Sequence, residues 1–209
     1  MRNSLIIIRI GKMKDILLII VLIVFSLSCS VDRQKMNEVD LVQWYENDNN
    51  YVSQFKETDG LFIEAMYQSG DYILSKEFLN NIIGINAFQE RKLELINTVL
   101  FKVSLGLKDE KSLLNDLIAE NEEVERYLRA DIKSDFRLQI GENNYMPSLV
   151  HLESGVGLKS MTDLLIAFSD VPNLESAKEI NLIFDNKLAD TTTLEFRYHL
   201  NKIPELSDF

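Results

Sequence analysis

The 209-residue sequence has one cysteine, two histidines and a deficit of basic charge. With no second thiol, Cys29 forms no internal disulfide, and zinc sites built on several cysteines are excluded. His151 and His199 are too few to make a catalytic zinc site alone, which takes three protein ligands. The formal net charge is −11; the first 28 residues hold Arg2, Arg9, Lys12 and Lys14 against Asp15, so the remainder carries about −14. That argues against nucleic acid as a partner, because phosphate binding needs a basic footprint. It argues equally against adsorption to anionic lipid through a polybasic patch. The acidity keeps the chain soluble or, on a sharper reading, meets a basic protein partner.

Motifs that carry chemistry are also missing. Gly-x-Ser-x-Gly does not occur. Gly155-Val156-Gly157 lacks the third glycine of a dinucleotide loop and the Lys-Ser/Thr of a P-loop, and reads as a plain loop. Asp48 among Asn47, Asn49 and Asn50 lacks the alternating acids and closing Glu of a calcium loop, and reads as a turn. His151 and Glu153 share a strand face, as do His199, Arg197 and Glu195; both sets read as solvated. Trp44, Tyr45, Tyr51 and Phe55 suit a core or staple better than a glycan or peptide groove. No catalytic residue, metal ligand or cofactor is expected.

What is present begins with the amino terminus. Ile16 to Phe25 is the most apolar run, preceded by Lys14 and followed by Ser26-Leu27-Ser28-Cys29. A basic start, a short apolar core and small residues make a secretory signal, and the run is short of the roughly 20 residues that span a bilayer. Met13 competes with Met1 as the true start. Ser26 to Cys29 resembles the lipobox of bacterial lipoproteins, in which the signal is cut before the cysteine and the cysteine is acylated. Ser26 stands where that pattern usually has Leu, Val or Ile; a Ser before the Cys with looser upstream choice is similar to lipoproteins of Bacteroidetes-type bacteria. The resemblance implies cleavage after Ser28 and acyl chains, palmitate among them, on Cys29. The competing readings are an uncleaved anchor helix and an incidental cysteine after an ordinary signal. The expected division is 1–28 as cleaved signal, 29–40 as lipidated tether and 41–209 as a single domain.

Nearly half the chain is apolar (46%) and about a quarter charged (26%), enough for a core. Leu61, Ile63, Ala65 and Tyr67 alternate, and Ser69-Gly70-Asp71 reads as a turn into a second strand, Tyr72 to Leu74. Helical spacing follows at 86–97, alternation at 99–105, and helices are expected at 110–118 and 122–132, capped by Asp109 and Asn121. Alternation returns at 136–140, at Tyr145 to Glu153 with Pro147 marking an edge or bulge, and at Leu164–Phe168, Ile180–Phe184 and Leu194–Leu200. The expected fold class is α+β: an antiparallel β-sheet or small sandwich with a few packed helices, after the lipoprotein signal.

Met66-Tyr67-Gln68-Ser69-Gly70-Asp71-Tyr72, Phe136-Arg137-Leu138, His151-Leu152-Glu153, and Leu194-Glu195-Phe196 with Ile203-Pro204 look similar to an uncharacterised Bacteroidetes-type lipoprotein family. That resemblance implies a lipid-anchored, partly β domain and no activity. The expected function is therefore a non-enzymatic binding or accessory lipoprotein of the cell envelope, at the outer membrane. The alternatives are an acidic, immunity-type factor that docks a basic partner, and a carboxylate-dependent hydrolase.

Overall fold

Period-two alternation of apolar side chains builds two large sheets. The computed structural model of the protein describes residues 33–47, 51–58, 60–107, 122–153, 161–187 and 192–207, all within one unit, Arg33–Phe209. In chain order the strands are β1 (Lys35–Met36), β2 (Ser53–Glu57), β3 (Leu61–Gln68), β4 (Val99–Leu107), β5 (Phe136–Ile140), β6 (Asn143–Tyr145), β7 (Leu149–Leu152), β8 (Met161–Phe168), β9 (Glu179–Asp185), β10 (Thr193–His199) and β11 (Glu205–Leu206). The helices are α1 (Glu38–Glu46), α2 (Gly70–Leu79), α3 (Ile85–Leu95) and α4 (Glu122–Arg126). One sheet runs β2-β3-β4-β8-β7 and the other β10-β9-β5-β6; every pairing in both is antiparallel. The architecture is α+β.

Each inner face is apolar because every second residue points inward. Leu61, Ile63, Ala65 and Tyr67 on β3, Val99, Phe101, Val103 and Leu105 on β4, and Leu164, Ile166 and Phe168 on β8 are buried. From the other sheet come Phe136 and Leu138, Ile180, Leu182 and Phe184, and Leu194, Phe196 and Tyr198. Tyr198 packs against both Tyr67 and Phe101, with ring centroids 5.9 and 5.5 Å away. The Gln54 side chain joins the two sheet edges: its amide donates to the Arg197 carbonyl, and its oxygen accepts the Arg197 N–H at 3.2 Å.

Four sequence readings change. The folded unit begins at Arg33 rather than Leu41, because β1 pairs in parallel with β11 and Asn37 caps α1 by accepting the Asp40 N–H at 2.9 Å. Residues 33–40, assigned to the tether, therefore belong to the fold. Ser69-Gly70-Asp71 does not turn a hairpin. The Ser69 hydroxyl accepts the Tyr72 N–H at 3.1 Å, Asp71 sits in the first turn, and Tyr72–Leu74 is helical.

The stretch from Tyr145 to Glu153 is not one strand. β6 ends at Tyr145 in one sheet and β7 begins at Leu149 in the other. Pro147, which has no N–H to give a ladder, lies in the crossing, and the Ser148 N–H donates to Ala167 at 2.8 Å. The expected helix 122–132 becomes α4, a π turn over Tyr127–Asp131 and a 3-10 turn over Ile132–Asp135, with Leu128 and Ile132 still buried. The helix expected at 110–118, with its cap Asp109, and Asn121 lie outside the described residues.

Candidate functional site

The clearest concavity forms where the two ends of the folded unit meet. Arg33 and β1 lie against β11: the Glu205 N–H donates to Gln34, the Ser207 N–H donates to Met36, and Arg33 Nη1 meets Glu205 Oε1 at 2.7 Å. Beside this seam opens a cavity of about 410 Å³. The start of α2 and the end of α3 form one side of it, and the turn after β10 forms another. Gly70 allows the helices to meet this closely, since a Cβ there would lie 3.1 Å from both the Cβ and the carbonyl oxygen of Leu95.

The lining is divided by chemistry. Leu74, Leu95, Leu174, Leu200, Ile203 and Leu206 make it apolar, while Arg33, Lys35 and Lys92 stand with Asp71, Glu175 and Glu205. Two of those acids are occupied: Asp71 Oδ2 accepts the Leu206 N–H at 2.9 Å, and Glu205 holds Arg33. Tyr67 reaches the cavity from β3 and is only 5% exposed. Its hydroxyl has no hydrogen-bond partner among the described residues. Burial pushes its pKa well above the ordinary tyrosine range, outweighing the Arg33 charge that pulls it down. It is therefore a neutral O–H group, able to give and take one hydrogen bond, rather than a base. Apolar walls, charges of both signs and a hydroxyl without a protein partner among the described residues suit binding of a small molecule with an apolar body and polar ends.

The buried carboxylates elsewhere are tied down. Asp135, 1% exposed, accepts from Tyr127 at 2.6 Å and Ser134 at 3.0 Å and is paired with Lys187. Asp163 accepts from Ser104 at 2.6 Å and meets Lys102 at 2.9 Å. A second groove is lined by Gln139, Glu179, Asn181 and Arg197, and the buried Asn181 Oδ1 lacks a partner among the described residues. Among the described residues no three His, Cys, Asp or Glu side chains are grouped to hold a metal, and no helix is long and apolar enough to cross a membrane.

The residues singled out from sequence are dispersed. His151 and Glu153 are both exposed at β7. His199 shares its face with Arg197 and Glu195, and its Nδ1 lies 3.1 Å from Glu179, which Arg197 also meets at 3.3 Å. The four aromatics divide: Tyr45 is buried and stacks on Tyr72 at 4.2 Å with Trp44 edge-on at 5.3 Å, whereas Tyr51 and Phe55 are exposed. Ser28, Cys29, Asp48 and Gly155–Gly157 lie outside the described residues. Sequence reading missed the cavity altogether; the one available signal was Ser69 before Gly70-Asp71, a helix-start pattern. No protein-family model matches the chain, and no curated protein or solved structure matches it either.

Proposed function

We propose that this chain is a lipoprotein of the bacterial cell envelope, held at the outer membrane by acyl chains on Cys29, that binds a ligand without transforming it. The anchoring half rests on the lone cysteine at the end of the apolar run, with Ser28 before it. The binding half rests on one observation, the cavity in which the Tyr67 hydroxyl lacks a partner. A hydrolase built on paired acids is less well supported, because Asp71, Glu205, Asp135 and Asp163 are each engaged by hydrogen bonds or cations.

The anchor is tested by growing cells with labelled palmitate and separating their membranes. The native chain is expected to take up label and to follow the outer membrane, while Cys29→Ala takes up none and is recovered in the soluble fraction. If Cys29→Ala stays as firmly membrane-bound as the native chain, the lipid anchor is wrong. Binding is tested by thermal shift over a small-molecule collection: a hit whose shift disappears in Leu174→Trp, a variant that fills the cavity wall, supports the site, and hits untouched by that variant place binding elsewhere.

A further inference from the structure

Helix α3 carries two apolar stripes where packing against a core calls for one. Phe88 and Leu95 are buried and serve the core. At 100° per residue, Ile85, Gln89, Lys92, Leu93 and Ile96 fall within a second arc of roughly 100°. Ile85 and Leu93 on this arc are each 71% exposed, Ile96 is 43% exposed, and Ile82 in the preceding turn is 70% exposed. Glu90 and Glu94 lie on the opposite flank, and Glu94 is paired with Arg91. The exposed arc is thus mixed, with the apolar Ile85, Leu93 and Ile96 set around Gln89 and Lys92, and it holds no acidic residue.

The length of chain available selects its occupant. Lys92 and Ile96 line the same cavity as Arg33 and Lys35, so the end of the stripe lies beside the first residues of the folded unit. Cys29 precedes Arg33 by four residues, and a fully extended chain of four residues spans at most about 14 Å. We infer that Ile82, Ile85, Leu93 and Ile96 rest in the headgroup region of the same bilayer that holds the Cys29 lipid, with Lys92 at phosphate level. This inference rests on the anchoring proposed above. An acidic body gains little from anionic lipid, so apolar insertion at the end of a short tether is the contact available to it. The consequence is orientation: the side of the cavity lined by Arg33, Lys92 and Ile96 is held toward the membrane surface.

The test uses the full lipidated chain reconstituted in phosphatidylethanolamine–phosphatidylglycerol vesicles. With Cys29 blocked by its lipid, an introduced cysteine is the only free thiol. Leu93→Cys and Ile85→Cys are compared with Asn144→Cys, an exposed position on β6, each carrying an environment-sensitive nitrobenzoxadiazole label. Labels at 93 and 85 are expected to shift to shorter wavelength on reconstitution and to be quenched several-fold more than the label at 144 by lipids bearing a shallow nitroxide. Equal quenching at all three positions, in protein that still floats with vesicles and loses flotation as Cys29→Ala, overturns the inference and leaves the anchor standing. Flotation that does not depend on Cys29 removes the anchor itself. A label at 93 that is shielded but unquenched, on a particle of doubled mass, assigns the stripe to a second copy of the chain and also overturns the inference.

Discussion

The Tyr198 hydroxyl donates to the Ala65 carbonyl across the interior at 2.6 Å, joining strands of two different sheets. It is buried, and its acceptor is a backbone group of a fully buried residue. Tyr67, 5.9 Å away ring to ring, is also buried, at 5% exposure, but lines the cavity, and its hydroxyl has no protein partner among the described residues.

Tyr198→Phe is expected to destabilise the domain by about 1–2 kcal/mol, since it removes a buried hydrogen bond and leaves a carbonyl short of a donor. Tyr67→Phe is expected to stay within roughly 0.5 kcal/mol of the native chain, because nothing is left unpaired. Urea unfolding of the two variants side by side measures the difference; equal costs would show that the Tyr67 hydroxyl has a partner in solution.

Asp135 anchors the turn that follows α4. Asp135→Ala strands the Tyr127 hydroxyl while the exposed Lys187 ammonium turns to solvent, and is expected to cost about 1–2 kcal/mol. Lys187→Met leaves the buried Asp135 carboxylate without its cation and held only by the hydroxyls of Tyr127 and Ser134, so a loss of about 2–3 kcal/mol is expected. Denaturant midpoints at constant slope give both values.

Asp185 supplies an acid-sensitive term. Partial burial alone raises its pKa, but the Thr193 hydroxyl, the Arg137 guanidinium at 2.6 Å and the Lys187 charge outweigh that and hold the carboxyl below its usual range. A depressed folded-state pKa contributes stability that is complete above the unfolded value, near pH 4, and disappears as pH falls through the folded value. Asp185→Asn should therefore be less stable than the native chain at neutral pH, with the gap closing on acidification. Melting temperatures of both chains from about pH 7 to about pH 3 test this; a gap that widens toward acid contradicts the sign.

Gly70 sets how closely α2 approaches α3. Gly70→Ala brings a methyl within 3.1 Å of the Leu95 carbonyl, a backbone atom that cannot swing aside. A loss of about 1–2 kcal/mol is expected, together with a changed cavity. Thermal unfolding reads the first and protection of α2 amides against hydrogen exchange the second; an unchanged variant would mean the helix pair parts at little cost.

The sheets were legible because their signal is local. Phe136-Arg137-Leu138 and Leu194 to Tyr198 alternate cleanly, and each is buried on its apolar side. Elements with two competing local signals were misread. Tyr72-Ile73-Leu74 is apolar enough for a strand, but the Ser69 cap and the first-turn Asp71 make it helical. Met146 to Ser148 looked like the middle of one strand, although Pro147 accompanies a change of sheet. The candidate site was not legible, since Arg33, Tyr67, Lys92 and Ile203 come from four separate segments with no shared spacing.

The sequence by itself determined the α+β class, the inward faces of β3, β4, β5, β8, β9 and β10, the acidic net charge and the presence of one cysteine, which alone can accept the proposed lipid. All of these follow from residue identity and short-range periodicity. Only the tertiary structure decided which strands are neighbours, that Tyr198 meets Ala65 at a separation of 133 residues, and that the two ends of the folded unit close beside a cavity. Hydrophobic burial drives every apolar face inward without direction and does not say which face it meets. Side-chain shape, ladder register and the placement of a few hydrogen bonds make that choice, and they act only once distant segments are in contact.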